Sequence, residues 1–122
     1  VIAHLATGAA VTRTRQPSLE ADEAAFQDKV VEFAKGAGWM VQHSYRGRVG
    51  KGAWRTPATV GFPDLLLLKP GRCVVLELKM PGNHASDAQN EWIAKFQTVE
   101  GIDAYVVYPA HWEQIVRLLT ER

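Results

Sequence analysis

The chain has 122 residues, 47% of them hydrophobic, which suits one domain with a single core. A net charge of +1 gives no sign of a polyanionic partner, and a lone cysteine, Cys73, excludes a disulfide framework and a multi-cysteine zinc site. No hydrophobic run is long enough to span a membrane, so we expect no membrane partner. The single cysteine favours a reducing, cytoplasmic location.

The first 17 residues show no sustained periodicity and are predicted to be a tail or arm, followed by one domain over residues 18–122. Ser18 is a plausible N-cap for a first helix. Its apolar positions at helical spacing are Phe26, Val30, Phe33 and Ala37. Glu23 lies three residues before Phe26, which predicts a place on the buried stripe, where a carboxylate needs a partner. Alternatively, Glu23 only complements the macrodipole of the first helical turns.

A predicted strand over residues 39–45 leads into a basic loop that contains no acidic residue. The candidate DNA contacts in this loop are Arg46, Arg48, Lys51, Trp54 and Arg55. Basic residues interleaved with aromatic ones suit phosphate contact and base stacking. The alternative is a solvated surface loop without a ligand.

Two apolar runs flank Pro70-Gly71, and they predict an antiparallel hairpin with this dipeptide at its tip. Residues opposite each other then have numbers that sum to 141, which pairs Asp64 with Glu77 at roughly 5 Å between Cβ atoms. Side chains alternate along a strand, so Lys79 lies on the same face as Glu77. Both strands are apolar on both faces, which is typical of central strands covered by helices.

Two carboxylates in one place repel each other unless something compensates their charge. A divalent cation would do so, and Mg²⁺ prefers carboxylate oxygens with water completing its shell. The alternative is a plain Glu77–Lys79 salt bridge, with Asp64 serving only as a turn residue after Pro63.

Ser86 is predicted to cap a second helix, with Trp92, Ile93, Phe96 and Val99 facing inward. Gln89 has capping-box spacing from Ser86, so it either bonds back to the helix start or serves a site. A strand over residues 102–108 and an amphipathic last helix complete the order α-β-β-β-α-β-α. The fold class is therefore α/β, with a small mixed sheet flanked by helices. The histidines at positions 43, 84 and 111 lack metal-ligand spacing and receive no role.

The motif Gly61-Phe62-Pro63-Asp64, the later Glu77-Leu78-Lys79 and Gln89 on the next helix resemble the PD-(D/E)XK nuclease superfamily. Within it, the chain is most similar to the VRR-NUC domains, which also have an early helical Glu before a Phe-Gln pair and a Gly-Trp beyond that helix. The corresponding residues are Glu23, Phe26-Gln27 and Gly38-Trp39. This resemblance implies a restriction-endonuclease-like core.

The resemblance also implies a chemistry. Asp64, Glu77 and the backbone carbonyl of Leu78 would bind Mg²⁺ or Mn²⁺, with Glu23 supporting the ion through water. Lys79 would position and help activate the attacking water, and Gln89 would orient that water or the phosphate. Relatives often have an Arg before the proline that follows the last strand, where this chain has Tyr108. A phosphate contact from that position is therefore not expected here.

For function, the resemblance implies a structure-selective DNA endonuclease that leaves 5′-phosphate and 3′-hydroxyl ends and acts as a homodimer. Branched DNA is the expected substrate, as for a Holliday-junction resolvase or a flap nuclease. Two alternatives remain: a nucleic-acid-binding module that has lost catalysis, and a restriction-like enzyme that recognises a sequence in plain duplex.

Overall fold

The computed structural model describes residues 17–44 and 59–121, with the backbone alone for residues 17–20. In chain order the elements are α1 (Pro17–Gly36), β1 (Met40–His43), β2 (Leu65–Lys69), β3 (Arg72–Leu78), α2 (Asp87–Gln97), β4 (Ile102–Val107), a 3₁₀ turn (Pro109–His111) and α3 (Trp112–Thr120). This order confirms the predicted α/β class. None of the described helices has the length and apolar character needed to cross a bilayer.

The four strands form one mixed sheet in the order β1-β2-β3-β4. β2 is antiparallel to both β1 and β3, whereas β3 and β4 are parallel. Leu65 lies opposite Leu76, and Lys69 opposite Arg72. The residue numbers of each pair therefore sum to 141, as predicted. The tip is a two-residue turn in which Gly71 has a φ of 78°, the conformation that a type II turn requires after a proline.

One face of the sheet packs against α1 and α3. Its core side chains include Leu65 and Leu67 of β2, Val74 and Leu76 of β3, Phe26, Val30 and Ala34 of α1, and Ile115 and Leu119 of α3. The indole Nε1 of Trp39 donates a hydrogen bond to the carbonyl oxygen of Leu119 over 2.9 Å. This bond joins the start of β1 to the end of α3 across the same core.

The other face packs against α2, through a second core formed by Val75, Ile93, Ala104, Val106 and Tyr108. Since both faces of β3 are covered, its apolar character on both sides is explained. The prediction that Val99 faces inward was wrong. Val99 is 48% exposed because α2 ends at Gln97, two residues earlier.

Candidate active site

Asp64 stands directly before β2, at the edge of the sheet where β3 ends. Continuing the β2–β3 register by one residue beyond the Leu65–Leu76 pair puts Asp64 opposite Glu77. The carboxylate of Asp64 accepts a hydrogen bond from the backbone N–H of Leu78 through Oδ2, over 2.9 Å. Asp64 therefore replaces a strand residue as the hydrogen-bond partner of β3, which fixes its carboxylate beside the Glu77–Lys79 segment.

Glu77 and Lys79 form an ion pair next to Asp64. Lys79 Nζ lies 3.3 Å from Glu77 Oε2, and the two side chains are 19% and 2% exposed. Lys79 follows the last residue of β3, yet its backbone N–H still donates to the carbonyl oxygen of Val107 over 2.9 Å. The backbone at Lys79 is thus fixed by β4, and its ammonium group compensates a carboxylate that water scarcely reaches.

A cleft of about 60 Å³ opens at this edge, lined by residues of α1, by Asp64 and by the end of β3. Glu23, Phe26 and Gln27 form its helical wall. Glu23 is exposed, so its predicted place on a buried stripe was wrong. The described side chains of α1 are exposed until Phe26, the first buried residue of the helix. Glu23 nevertheless lines the same cleft as Asp64 and Lys79.

The donor atoms at this edge suit a small, hard cation. Within residues 17–44 and 59–121, no three His, Cys, Asp or Glu side chains are grouped closely enough to form a metal cage. The oxygen donors that line the cleft are the carboxylates of Asp64 and Glu23. Glu77, opposite Asp64 in the extended register, is buried behind the cleft and is not among its lining residues. Mg²⁺ commonly takes only one or two carboxylates and keeps several waters. The residues present therefore fit such an ion without a complete protein cage.

The comparison with known families gives a match over the part of the chain that contains Asp64, Glu77 and Lys79. The family model of the VRR-NUC domain matches residues 56–111. Residues 56–111 are therefore similar to the VRR-NUC domain. No curated protein and no solved structure matches the chain significantly. The resemblance drawn from the motifs is confirmed over this segment, and the match suggests a nuclease-type function.

The match to the VRR-NUC domain includes Asp64, the Glu77–Lys79 segment and Gln89, but it leaves out α1 and therefore Glu23. The predicted DNA-binding residues Arg46, Arg48, Lys51, Trp54 and Arg55 precede the match and lie outside the described residues. Their contribution stays a prediction from sequence.

Gln89 occupies the first turn of α2 and is 7% exposed. Its side-chain Oε1 accepts from the Ser86 backbone N–H over 2.8 Å, and the Ser86 hydroxyl accepts from the Gln89 N–H over 3.1 Å. This reciprocal pair is the predicted capping box. Gln89 is not among the residues that line the cleft with Asp64, and its hydrogen bonds with Ser86 fix the start of α2.

Sequence reasoning gave no role to Gln27, although its side chain lines the cleft. Gln27 Nε2 contacts Nε2 of His43 at the end of β1, which links α1 to the sheet beside the site. The helical spacing between Glu23 and Gln27, four residues, is the signal that could have placed both on one face.

Tyr108 occupies the position where relatives often have an arginine. Its hydroxyl donates to the carbonyl oxygen of Asn83 over 2.7 Å, so it braces the turn between β3 and α2. Burial raises the pKa of the Tyr108 hydroxyl above its ordinary value. The backbone N–H of Tyr108 in turn donates to Nδ1 of the buried His111 over 3.0 Å.

Proposed function

We propose that this protein is a Mg²⁺- or Mn²⁺-dependent endonuclease that hydrolyses phosphodiester bonds in branched DNA. The observation that carries the proposal is the convergence of Asp64, Glu77 and Lys79 at one end of the sheet, inside the matched segment. An acidic pair can bind the metal ion that assists phosphodiester hydrolysis, and a lysine beside it can stabilise the negative charge that develops on the phosphate.

Asp64 and Glu77 are the proposed metal ligands, joined by the backbone carbonyl of Leu78. In an antiparallel ladder the N–H and C=O of one residue point toward the same neighbour. Because the N–H of Leu78 points to Asp64, we expect its carbonyl oxygen to face that side too. Glu23, across the cleft, would support the ion through a water. When bound, the ion polarises the phosphoryl oxygens and lowers the pKa of a coordinated water.

Lys79 is the proposed catalytic residue. Its ammonium group, held at 3.3 Å from Glu77, can donate a hydrogen bond to the attacking water and stabilise negative charge on the phosphoryl oxygens. Gln89 would orient the water or the phosphate only through the part of its amide not used in the capping box. The basic segment over residues 45–58 would contact the phosphates of the DNA arms.

Branched DNA is proposed as the substrate, and a homodimer as the acting form, because one domain of this size is too small to hold two duplex arms. A Holliday-junction resolvase and a flap nuclease are both included in this class. Cleavage is proposed to leave a 5′-phosphate and a 3′-hydroxyl.

The test is a cleavage panel of flap, fork, four-way and linear DNA of matched sequence, with Mg²⁺, Mn²⁺ or EDTA. We expect cutting of the branched substrates in either metal and background levels in EDTA. Binding without cleavage in every metal would instead identify a non-catalytic nucleic-acid-binding module. Equal cleavage of linear and branched DNA at one short sequence would identify a restriction-like enzyme.

A further inference from the structure

A second concavity lies beside the cleft, between α1, the segment after β3 and the start of α3. We call it the apolar groove. Its volume is about 330 Å³, within the range of roughly 300–1,000 Å³ that is usual for small-molecule sites. Six of its eight lining residues are apolar: Ala25, Phe26, Met80, Pro81, Pro109 and Trp112. Contact with an apolar lining is unfavourable for a charged group, because the group loses hydration there. The same contact is favourable for the flat apolar face of a ring.

The apolar groove adjoins the candidate active site. Phe26 and Met80 line both the groove and the cleft that contains Asp64 and Lys79. A group bound in the groove therefore lies next to the cleft. A nucleotide strand that enters the cleft with its phosphate would bring the neighbouring base to the groove.

Trp112 gives the groove an aromatic surface of fixed orientation. Its ring meets Phe33 edge to face, with centroids 5.5 Å apart and planes at 75°. Lys29 Nζ lies over the Trp112 ring, 4.3 Å from its centroid, so a base that stacks on this face would displace the ammonium group toward the solvent. Aromatic side chains stack with any base, and a neighbouring cation can bind the adjoining phosphate.

We propose that the apolar groove binds the base of an unpaired nucleotide next to the phosphodiester that the active site cleaves. The proposal rests on the proposed function, since that function supplies the DNA. The base is the better occupant than a phosphate because the lining is apolar and because Asp22, at the groove, repels an anion. Lys29, the other charged lining residue, supplies the contact for the phosphate outside the groove.

The test uses three DNA duplexes of matched sequence: one with a single unpaired 2-aminopurine nucleotide, one with a tetrahydrofuran abasic residue in its place, and one fully paired. Affinity is measured by anisotropy in EDTA, so that no strand is cut. Base stacking on an aromatic side chain predicts about tenfold tighter binding of the 2-aminopurine duplex than of the abasic duplex.

The matched variants are Ala25→Trp and Ala24→Trp. Both alanines are exposed on α1, but only Ala25 lines the apolar groove. Filling the groove through Ala25→Trp should abolish the preference for the base, whereas Ala24→Trp should keep it. Thermal unfolding shows that each variant folds. If Ala25→Trp does not fold, the fluorescence of 2-aminopurine bound to the parent protein is the second test. Stacking of the base on Trp112 should quench this fluorescence, and unchanged fluorescence would contradict the groove assignment.

Equal affinity of the parent protein for the base-containing and abasic duplexes would overturn the groove assignment, as would a folded Ala25→Trp variant that keeps the preference. Failure of the proposed function gives a different result. A parent protein that prefers the base yet cuts no DNA in Mg²⁺ or Mn²⁺ would support the groove assignment and contradict the proposed nuclease activity. A parent protein that cuts DNA without preferring the base would support the nuclease activity and contradict the groove assignment.

Discussion

At the scale of single residues, two lysine–glutamate pairs of this chain have very different surroundings. The Glu77–Lys79 pair is almost enclosed, with side chains 2% and 19% exposed. The Glu91–Lys95 pair spans one turn of α2 over 3.8 Å, and both its side chains are 73% exposed. Water screens the second pair, so it contributes little, whereas removal of Lys79 would leave a buried carboxylate without its cation.

We therefore predict that Lys79→Met lowers the free energy of unfolding by about 3 kcal/mol. The matched change Lys95→Met should cost at most about 0.5 kcal/mol, as expected for an exposed helical pair. Urea denaturation of both variants measures the difference. Adding Glu77→Gln to Lys79→Met should recover part of the loss, because the buried charge is then gone. Similar losses for Lys79→Met and Lys95→Met would contradict this account.

Cys73 provides a pH-dependent prediction. Burial, and secondly the charge of Asp103, raise the pKa of the Cys73 thiol above its ordinary value. The thiolate fraction at neutral pH is then reduced, so alkylation by iodoacetamide should be slow there and should increase toward alkaline pH. The midpoint of this pH profile should lie above that of the chain unfolded in denaturant.

Asp103→Asn serves as the control for the electrostatic part of this shift, because it removes the nearby negative charge. The midpoint for Cys73 should move to lower pH in this variant, while staying above the midpoint of the unfolded chain. A parent profile that coincides with the unfolded chain would show that burial does not affect the thiol.

The central residues of the site were predictable because a local feature fixes their register. Once Pro70-Gly71 was recognised as the turn, the pairing of Asp64 with Glu77 followed by counting, and the observed β2–β3 register agrees. The exposure of Glu23 was not predictable in this way. Helical periodicity gives the face on which a residue lies, but it does not show at which turn of the helix burial begins.

At the scale of elements, Gly61 controls how the segment before β2 approaches α2. Gly61 has a φ of 83°, and a Cβ atom there would lie 2.7 Å from the backbone carbonyl carbon of Ala88. Phe62, the next residue, packs edge to face on Trp92 of α2 with centroids 5.0 Å apart. The contact of this segment with α2 therefore lies only three residues before Asp64 and helps to fix the position of Asp64.

We predict that Gly61→Ala destabilises the fold more than Gly71→Ala. Both glycines have a positive φ, so each substitution carries a backbone penalty of about 1–2 kcal/mol. A Cβ at Gly71 meets no atom within 4 Å, whereas at Gly61 it collides with the backbone of α2. The collision should add about 1–3 kcal/mol. Chemical denaturation of the two variants provides the comparison, and equal losses would show that the close approach is not required.

Local signals also explain which elements were predictable. The capping box of Ser86 and Gln89 depends on residues three apart, and its spacing in the sequence was sufficient. The inward position predicted for Val99 failed because the periodic pattern continued past the true end of α2. The contact of Gln27 with His43 joins residues 16 apart in different elements, which no local pattern could indicate.

At the scale of the whole molecule, two cores on opposite faces of the sheet leave the proposed catalytic residues at one edge. α1 and α3 cover one face, and α2 covers the other. The order of elements was predictable because each has a clear period, and the mixed sheet followed from a short hairpin and one helical crossover. The basic segment that would bind DNA lies outside the described residues, so its prediction rests on composition alone.

In the proposed function, Asp64 and its neighbours cut the DNA. Asp64→Asn removes a charge while its amide oxygen can still accept the N–H of Leu78, so the fold should be retained. The matched control is Asp28→Asn, which changes an exposed carboxylate of α1 that does not line the cleft.

The decisive measurement is the single-turnover rate of cleavage of a branched DNA in Mn²⁺ by the parent protein and these two variants. We predict that Asp64→Asn loses at least about a hundredfold in rate and that Asp28→Asn keeps the parent rate. An Asp64→Asn protein that cuts the same DNA as fast as the parent would contradict the assignment of this site.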